Sequence, residues 1–226
     1  MRRLNRILRG ICFRAAPLIL VLQISVLESP CQAEEPAATR IVAGSRVDLF
    51  RLWPAIAKAP SADMATLEVL IRPDVEAVNR SRAFVLVLSN SGGRDAAGIS
   101  LALNSGAVRA SVLGTRLDAP QQLRPAQWSH VALTIDSRKV NRQARLWVNG
   151  QQVAESLILE YWPQNFQVAE MLSDKWNQGR VFTGELGDVR ISRTVRYTQS
   201  FKQPITLPKD DDSVLRLNGN QIPLDR

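Results

Sequence analysis

Apolar and polar residues alternate in short runs along most of this chain, and the dominant period is two. Within residues 65–72, Leu67, Val69 and Ile71 fall on one side of an extended backbone and Thr66, Glu68 and Arg72 on the other. That is the pattern of a half-buried strand, and Pro73-Asp74 ends it. Residues 83–88 are apolar on both sides, which predicts a central strand covered above and below and stopped by Asn90-Ser91-Gly92-Gly93. Ile99, Leu101 and Leu103 alternate next, and Asn104-Ser105-Gly106 leads into 107–113, where Val108, Ala110 and Val112 share a face: a predicted hairpin. Val131, Leu133 and Ile135 define another strand within 128–136, followed by a charged loop and a strand at 144–148. Asn149-Gly150 supplies two residues that accept positive φ, so it is expected to turn 145–148 back into 151–154. In 182–191, Leu186 and Val189 would face opposite ways on a regular strand. A bulge at Gly187 puts Leu186, Val189 and Ile191 on one face. A last short strand is expected at 214–217. Helical character is confined to 52–58 and to one turn at 194–197, and there is no internal repeat or heptad. Short apolar runs broken by Pro, Gly, Asn and Asp predict an all-β, antiparallel two-sheet sandwich.

The first residues follow a different rule. Arg2, Arg3, Arg6, Arg9 and Arg14 precede an uncharged, mostly apolar run at 15–27. Such an order is that of an exported protein's signal helix, and the run is shorter than the ~20 residues that cross a bilayer. Residues 1–33 are therefore expected to be a signal peptide cleaved after Ala33, 34–46 a leader and 47–226 the domain. No stable membrane insertion is expected after cleavage. Cleavage would remove both cysteines, Cys12 and Cys31, leaving core burial rather than disulfides to hold the domain. It would also halve the formal net charge of +8, because five Arg and one Glu lie in the first 33 residues. With no basic block left to track phosphates, nucleic acid is not expected as a partner.

Three blocks carry a resemblance. Trp128-Ser129-His130-Val131-Ala132-Leu133, with Leu146-Trp147-Val148-Asn149-Gly150, resembles the W-x-H-V-A and L-x-V-N-G hairpin of laminin-G-like domains. The stretch 182–191, running from Phe182-Thr183-Gly184 to Val189-Arg190-Ile191, is similar to that family's F-x-G-x-I-D-x-V-R-I strand. Thr66-Leu67-Glu68-Val69 with Arg72-Pro73-Asp74 fits its early strand. The resemblance implies a concanavalin A-like jelly roll that serves as a secreted recognition module for sugars or proteins, in some members through calcium. A periplasmic or extracellular location and a glycan or an extracellular or envelope protein as partner follow as expectations.

Catalytic readings find little support in the residues. His130 is the only histidine, so any Ser-His-Asp triad must use it, yet no nucleophile elbow or glycine-framed serine accompanies it. Glu185 and Asp188 lack the alternate spacing and the third acid of the E-x-D-x-x-E glucanase signature, which leaves a glycoside hydrolase as the weakest reading. Asp210-Asp211-Asp212 is expected to be a solvated run, since three consecutive carboxylates do not converge on one calcium ion without a tight loop. Binding chemistry is more suggestive: Tyr161, Trp162 and Asn165, with Asp174, Trp176 and Asn177, combine aromatic faces that stack on sugar rings with groups that pair with hydroxyls. These six are the candidate ligand-binding residues. The competing explanation is that the aromatics close an open edge of the sandwich.

Overall fold

Alternation becomes architecture through register. In the computed structural model, which describes residues 35–54, 63–89, 98–138, 140–159, 166–172 and 180–225, β3 (Met64–Pro73) pairs antiparallel with β8 (Ser129–Asp136), setting Leu67 opposite Leu133 and Val69 opposite Val131. Its other neighbour is β12 (Gly184–Ser192). Around this centre a seven-stranded sheet runs in the order β1 (Thr39–Ile41), β12, β3, β8, β9 (Gln143–Val148), β10 (Gln151–Leu157), with β13 (Ser213–Leu217) also on β12. The second, six-stranded sheet runs β2 (Val47–Asp48), β11 (Val168–Met171), β4 (Ala83–Ser89), β5 (Gly98–Asn104), β6 (Ala107–Val112), β7 (Thr115–Gln122). Every named strand pair is antiparallel.

The facing sides of the two sheets form one core. Leu67, Val69, Ile71, Val131, Leu133, Leu146, Leu186, Val189 and Ile191 from the first sheet meet Val85, Leu88, Ile99, Leu101, Leu103, Val108, Ala110, Val112 and Met171 from the second. The bulge expected in β12 is present. Its register against β3 shifts between Leu186 and Val189, and Leu186, Val189 and Ile191 are all buried in the core. The Asn149-Gly150 turn holds both residues at positive φ, 52° and 79°, and Ser105-Gly106 does the same at 48° and 80°. Both hairpins thus use the primed turn that matches strand twist.

The structure departs from the expectations in five places. A third primed turn, Leu113-Gly114, starts β7, whose alternation of Thr115, Leu117 and Ala119 against Arg116, Asp118 and Pro120 is too weakly apolar to stand out. Residues 39–41 of the expected leader form β1, because Ile41 is fully buried and the strand pairs with β12. The helical character expected at 52–58 is found earlier, in the single turn α1 (Leu49–Leu52), where the Asp48 side chain accepts from Phe50 N–H; 55–58 lie outside the described residues. The helical turn expected at 194–197 is absent. There the Thr66 hydroxyl donates to the Thr194 carbonyl and accepts from Arg196 N–H, drawing the chain out along the sheet. A short helix not anticipated, α2 (Val75–Asn79), follows β3 and is capped by Asp74 accepting from Ala77 N–H. Among the described residues no helix is long and apolar enough to cross a membrane.

Candidate functional site

The two sheets differ in what their outward sides carry. On the seven-stranded sheet the outward residues of adjacent strands are Glu68 and Leu70 on β3, His130 on β8, Trp147 on β9 and Arg190 on β12, and all are buried. Residues 193–212, without helix or strand, cover them as a strap. Tyr197 and Phe201 of the strap stack face to face, their centroids 3.7 Å apart, and meet the rings of His130 and Trp147. Gly150 permits the contact: a side chain there would put Cβ 1.9 Å from the Phe201 carbonyl oxygen, and Phe201 N–H donates to the Gly150 carbonyl. Asn149, the other half of the turn, accepts from His130 N–H through its side chain, which fixes the turn to β8.

Glu68 is the centre of this layer. Its carboxylate accepts from Arg190 Nε at 2.8 Å and Nη2 at 3.1 Å, from the Tyr197 hydroxyl, and from His130 Nε2 at 3.3 Å. Burial pushes the carboxyl up, but the hydrogen bonds from His130, Arg190 and Tyr197 and the Arg190 charge outweigh it, bringing Glu68 down to about 2. An ionised Glu68 requires the proton of neutral His130 on Nε2. Burial and the Glu68 charge push the Tyr197 hydroxyl far up. A permanent anion under a covering segment cannot shuttle protons near neutral pH, so the cluster with the most catalytic appearance acts as a fastening. His130 has no serine hydroxyl in hydrogen-bond contact among the described residues, and its Nδ1, like Trp128 Nε1, is buried without a partner there.

The other acidic candidates are also engaged. Asp188 accepts from the backbone N–H groups of Leu207 and Gly219 and from Arg216. Glu185 pairs with Arg72 at 3.2 Å. The run at 210–212 is more than solvated: Asp210 binds Arg196 and Ser213, and Asp212 faces Arg193 at 3.7 Å. Among the described residues no three His, Cys, Asp or Glu side chains are grouped to hold a metal.

The six-stranded sheet has a different outward side. Register aligns Asp48, Glu170, Val87, Ser100, Ser111 and Arg116 in one row across all six strands. A second row runs Phe84, Ala102, Arg109, Asp118. Small residues on β5 and β6, Ser100, Ala102 and Ser111, thus lie between bulkier ones. On one side is the apolar group Phe84, Val87 and Val168; on the other, Asp118 is held by Arg109 and by Arg116 at 3.0 Å. Arg82 sits 5.6 Å from the centre of the Phe84 ring. Ser100, Ser111, Arg109, Arg116 and Asp118 were missed in the sequence because they are only the polar half of each strand's alternation; their alignment depends on register.

Tyr161, Trp162, Asn165, Asp174, Trp176 and Asn177 lie outside the described residues. Their points of attachment do not. In the sequence, 160–165 precede and 173–179 follow β11 of the six-stranded sheet, joined to it through 166–167 and Leu172.

Comparison with known proteins agrees with this architecture. Residues 53–200 match the Laminin_G_3 family, described as the concanavalin A-like lectin/glucanases superfamily. No curated protein matches the chain by sequence. Among solved structures, a candidate carbohydrate-binding protein from Bacteroides ovatus superposes with a TM-score of 0.59 at 16% identity, covering 82% of this chain and 52% of that one. The chain therefore spans about half the length of that relative. The CBM40 of Ruminococcus gnavus IT-sialidase, bound to α2,3 sialyllactose, gives 0.57 at 17% identity over 73% of this chain and 92% of that one. A K499G mutant of the NanB sialidase from Streptococcus pneumoniae gives 0.56 at 13% identity over 73% and 27%. At such identities the likeness is one of fold.

Proposed function

This chain belongs to the concanavalin A-like lectin/glucanases superfamily, and on that premise we propose that it is an exported, non-catalytic module that binds carbohydrate on the outward side of its six-stranded sheet. The observation that carries the proposal is the difference between the two outward sides: one is covered by the strap, while the other sets half-buried Ser100 and Ser111 and exposed Arg116 beside the buried group Phe84, Val87, Ala102 and Val168. Ser100 and Ser111 offer donors and acceptors to sugar hydroxyls, and Arg116 offers a charge-assisted donor. The segments holding Tyr161, Trp162 and Asn165, and Asp174, Trp176 and Asn177, flank β11 of the same sheet in the sequence. Stacking of sugar rings on these aromatics would add apolar contact to the polar floor. The fold shared with the R. gnavus CBM40 supports this reading, as do the structural roles of Glu68, Glu185 and Asp188.

Binding to a panel of immobilised glycans tests it. Wild-type protein is expected to retain at least one glycan class, and Ser111→Arg, which fills the floor, should weaken that binding at least tenfold with the melting temperature unchanged. Trp176→Ala should quench the ligand-dependent change in tryptophan fluorescence. Ile205→Asp, on the strap, should leave binding as it is. No retained glycan, or equal loss from Ile205→Asp, would refute the assignment. Release of reducing sugar that vanishes in Glu185→Gln would make the protein a hydrolase instead.

A further inference from the structure

The strap has an unusual form of attachment. Residues 193–212 join no strand ladder, so their backbone groups are met one at a time, mostly by side chains of the sheet beneath. The Thr66 hydroxyl holds Thr194 and Arg196, Asp188 holds Leu207 N–H, Arg190 Nη1 donates to the Pro208 carbonyl, and Arg216 Nε donates to the Leu207 carbonyl. Backbone pairing contributes Phe201 with Gly150 at one place and Arg193 with Asp212 at the strap's own ends. Leu207 and Arg216 meet at Asp188, while two other attachments converge on a second carboxylate. Glu68 binds Arg190, which carries Pro208, and Tyr197, which carries the aromatic stack. Arg196 adds a contact 3.7 Å from Glu68 and binds Asp210, which itself faces Arg190 at 3.7 Å.

We propose that the strap is a separate cooperative unit, latched by the charge of Glu68, that undocks from the outward side of the seven-stranded sheet while the sandwich beneath stays folded. Segments fixed by few ladder bonds are those that open below the global unfolding free energy. The charged and titratable groups facing Glu68 are His130 from β8, Arg190 from β12, and Tyr197 and Arg196 from the strap, with Asp210 behind the two arginines. All of those that touch Glu68 are donors. Neutralising Glu68 removes the buried counter-charge that Arg190 and Arg196 share, leaving them only Asp210, and removes the acceptor of the Tyr197 hydroxyl. The core side of the sandwich, built of apolar residues from both sheets, loses no partner in that event. Undocking would uncover His130 and Trp147, an aromatic floor now fully buried under Tyr197 and Phe201.

Hydrogen exchange of the full chain, read by mass spectrometry peptide by peptide, tests the unit. In Glu68→Gln at neutral pH, amides of 194–207 are expected to exchange at least tenfold faster than in the wild type, with β3, β8 and β9 unchanged. The wild type at pH 3, corrected for intrinsic exchange, should show the same pattern. Should Glu68→Gln fail to fold, Tyr197→Phe, which removes one donor and keeps the ring, is expected to accelerate the same amides severalfold at neutral pH. Strap and sheet amides accelerating together, or strap amides unchanged in every sample that folds, would overturn the proposal.

Discussion

Single residues set the pH range and the tightest contacts of this molecule. Glu68 stands at about 2 in the folded protein, against an ordinary 4.5. Its contribution to stability is complete above about pH 4.5 and is lost as the pH falls toward 2, a difference of roughly 3 kcal/mol. Asp136, brought to about 2 by hydrogen bonds from the Arg138 side chain, against burial, with Asn141 and Arg138 N–H adding to them, loses its contribution in the same direction. Urea unfolding between pH 2 and 7 should therefore show stability rising with pH up to about 5 and then levelling. Gly150→Ala is expected to cost roughly 1–3 kcal/mol, because it forces a side chain into positive φ and against the Phe201 carbonyl; the loss of melting temperature measures it. Much of this residue chemistry was half legible. His130 and Arg190 could be read as letters of a familiar pattern. Their meeting at Glu68 could not be read, because Glu68 and Arg190 are 122 residues apart and only register joins them. Leu70 and Trp147 were the available clue: large apolar side chains at outward positions imply that something covers that side.

Among the elements, those built on strong alternation and on Asn-Gly or Ser-Gly turns were legible, and those built on partners were not. The bulge in β12 followed from three residues, Leu186, Val189 and Ile191, whose spacing has no other way to share a core face. Gly187 at its centre leaves no space: a Cβ there would lie 2.9 Å from Leu70 Cβ and 3.3 Å from the Trp128 ring. Gly187→Val should accordingly destabilise the protein by about 1–3 kcal/mol through overpacking, measurable by chemical denaturation. By contrast β1, β2 and β11 are two to four residues long and exist because a neighbouring strand offers unpaired backbone groups. Nothing in so short a stretch announces that. The strap was misjudged for a related reason: its local sequence allows a helical turn, and the Thr66 hydroxyl and Glu68 carboxylate beneath it decide otherwise.

For the whole molecule, the two-sheet sandwich was evident from period-two runs and from the laminin-G-like blocks, while its sidedness was not, since the covering of one sheet is a long-range property. That sidedness makes the functional prediction specific. A charge introduced at Ser111 should act on glycan retention without affecting stability, whereas one at Ile205 should not, and parallel glycan-binding and melting measurements separate the two. The closing seam has a consequence of another kind. β12 is flanked on one side by both β1 and β13, Thr39 donates to the Gly219 carbonyl across 180 residues, and Arg46 and Asp225 exchange backbone hydrogen bonds. A polypeptide still emerging from the ribosome must therefore hold β1 in waiting until β12 and Gly219 have been made. Joining such distant partners is entropically slow, so refolding belongs to the millisecond-to-second class of sandwich proteins, with an unfinished edge exposed throughout that wait.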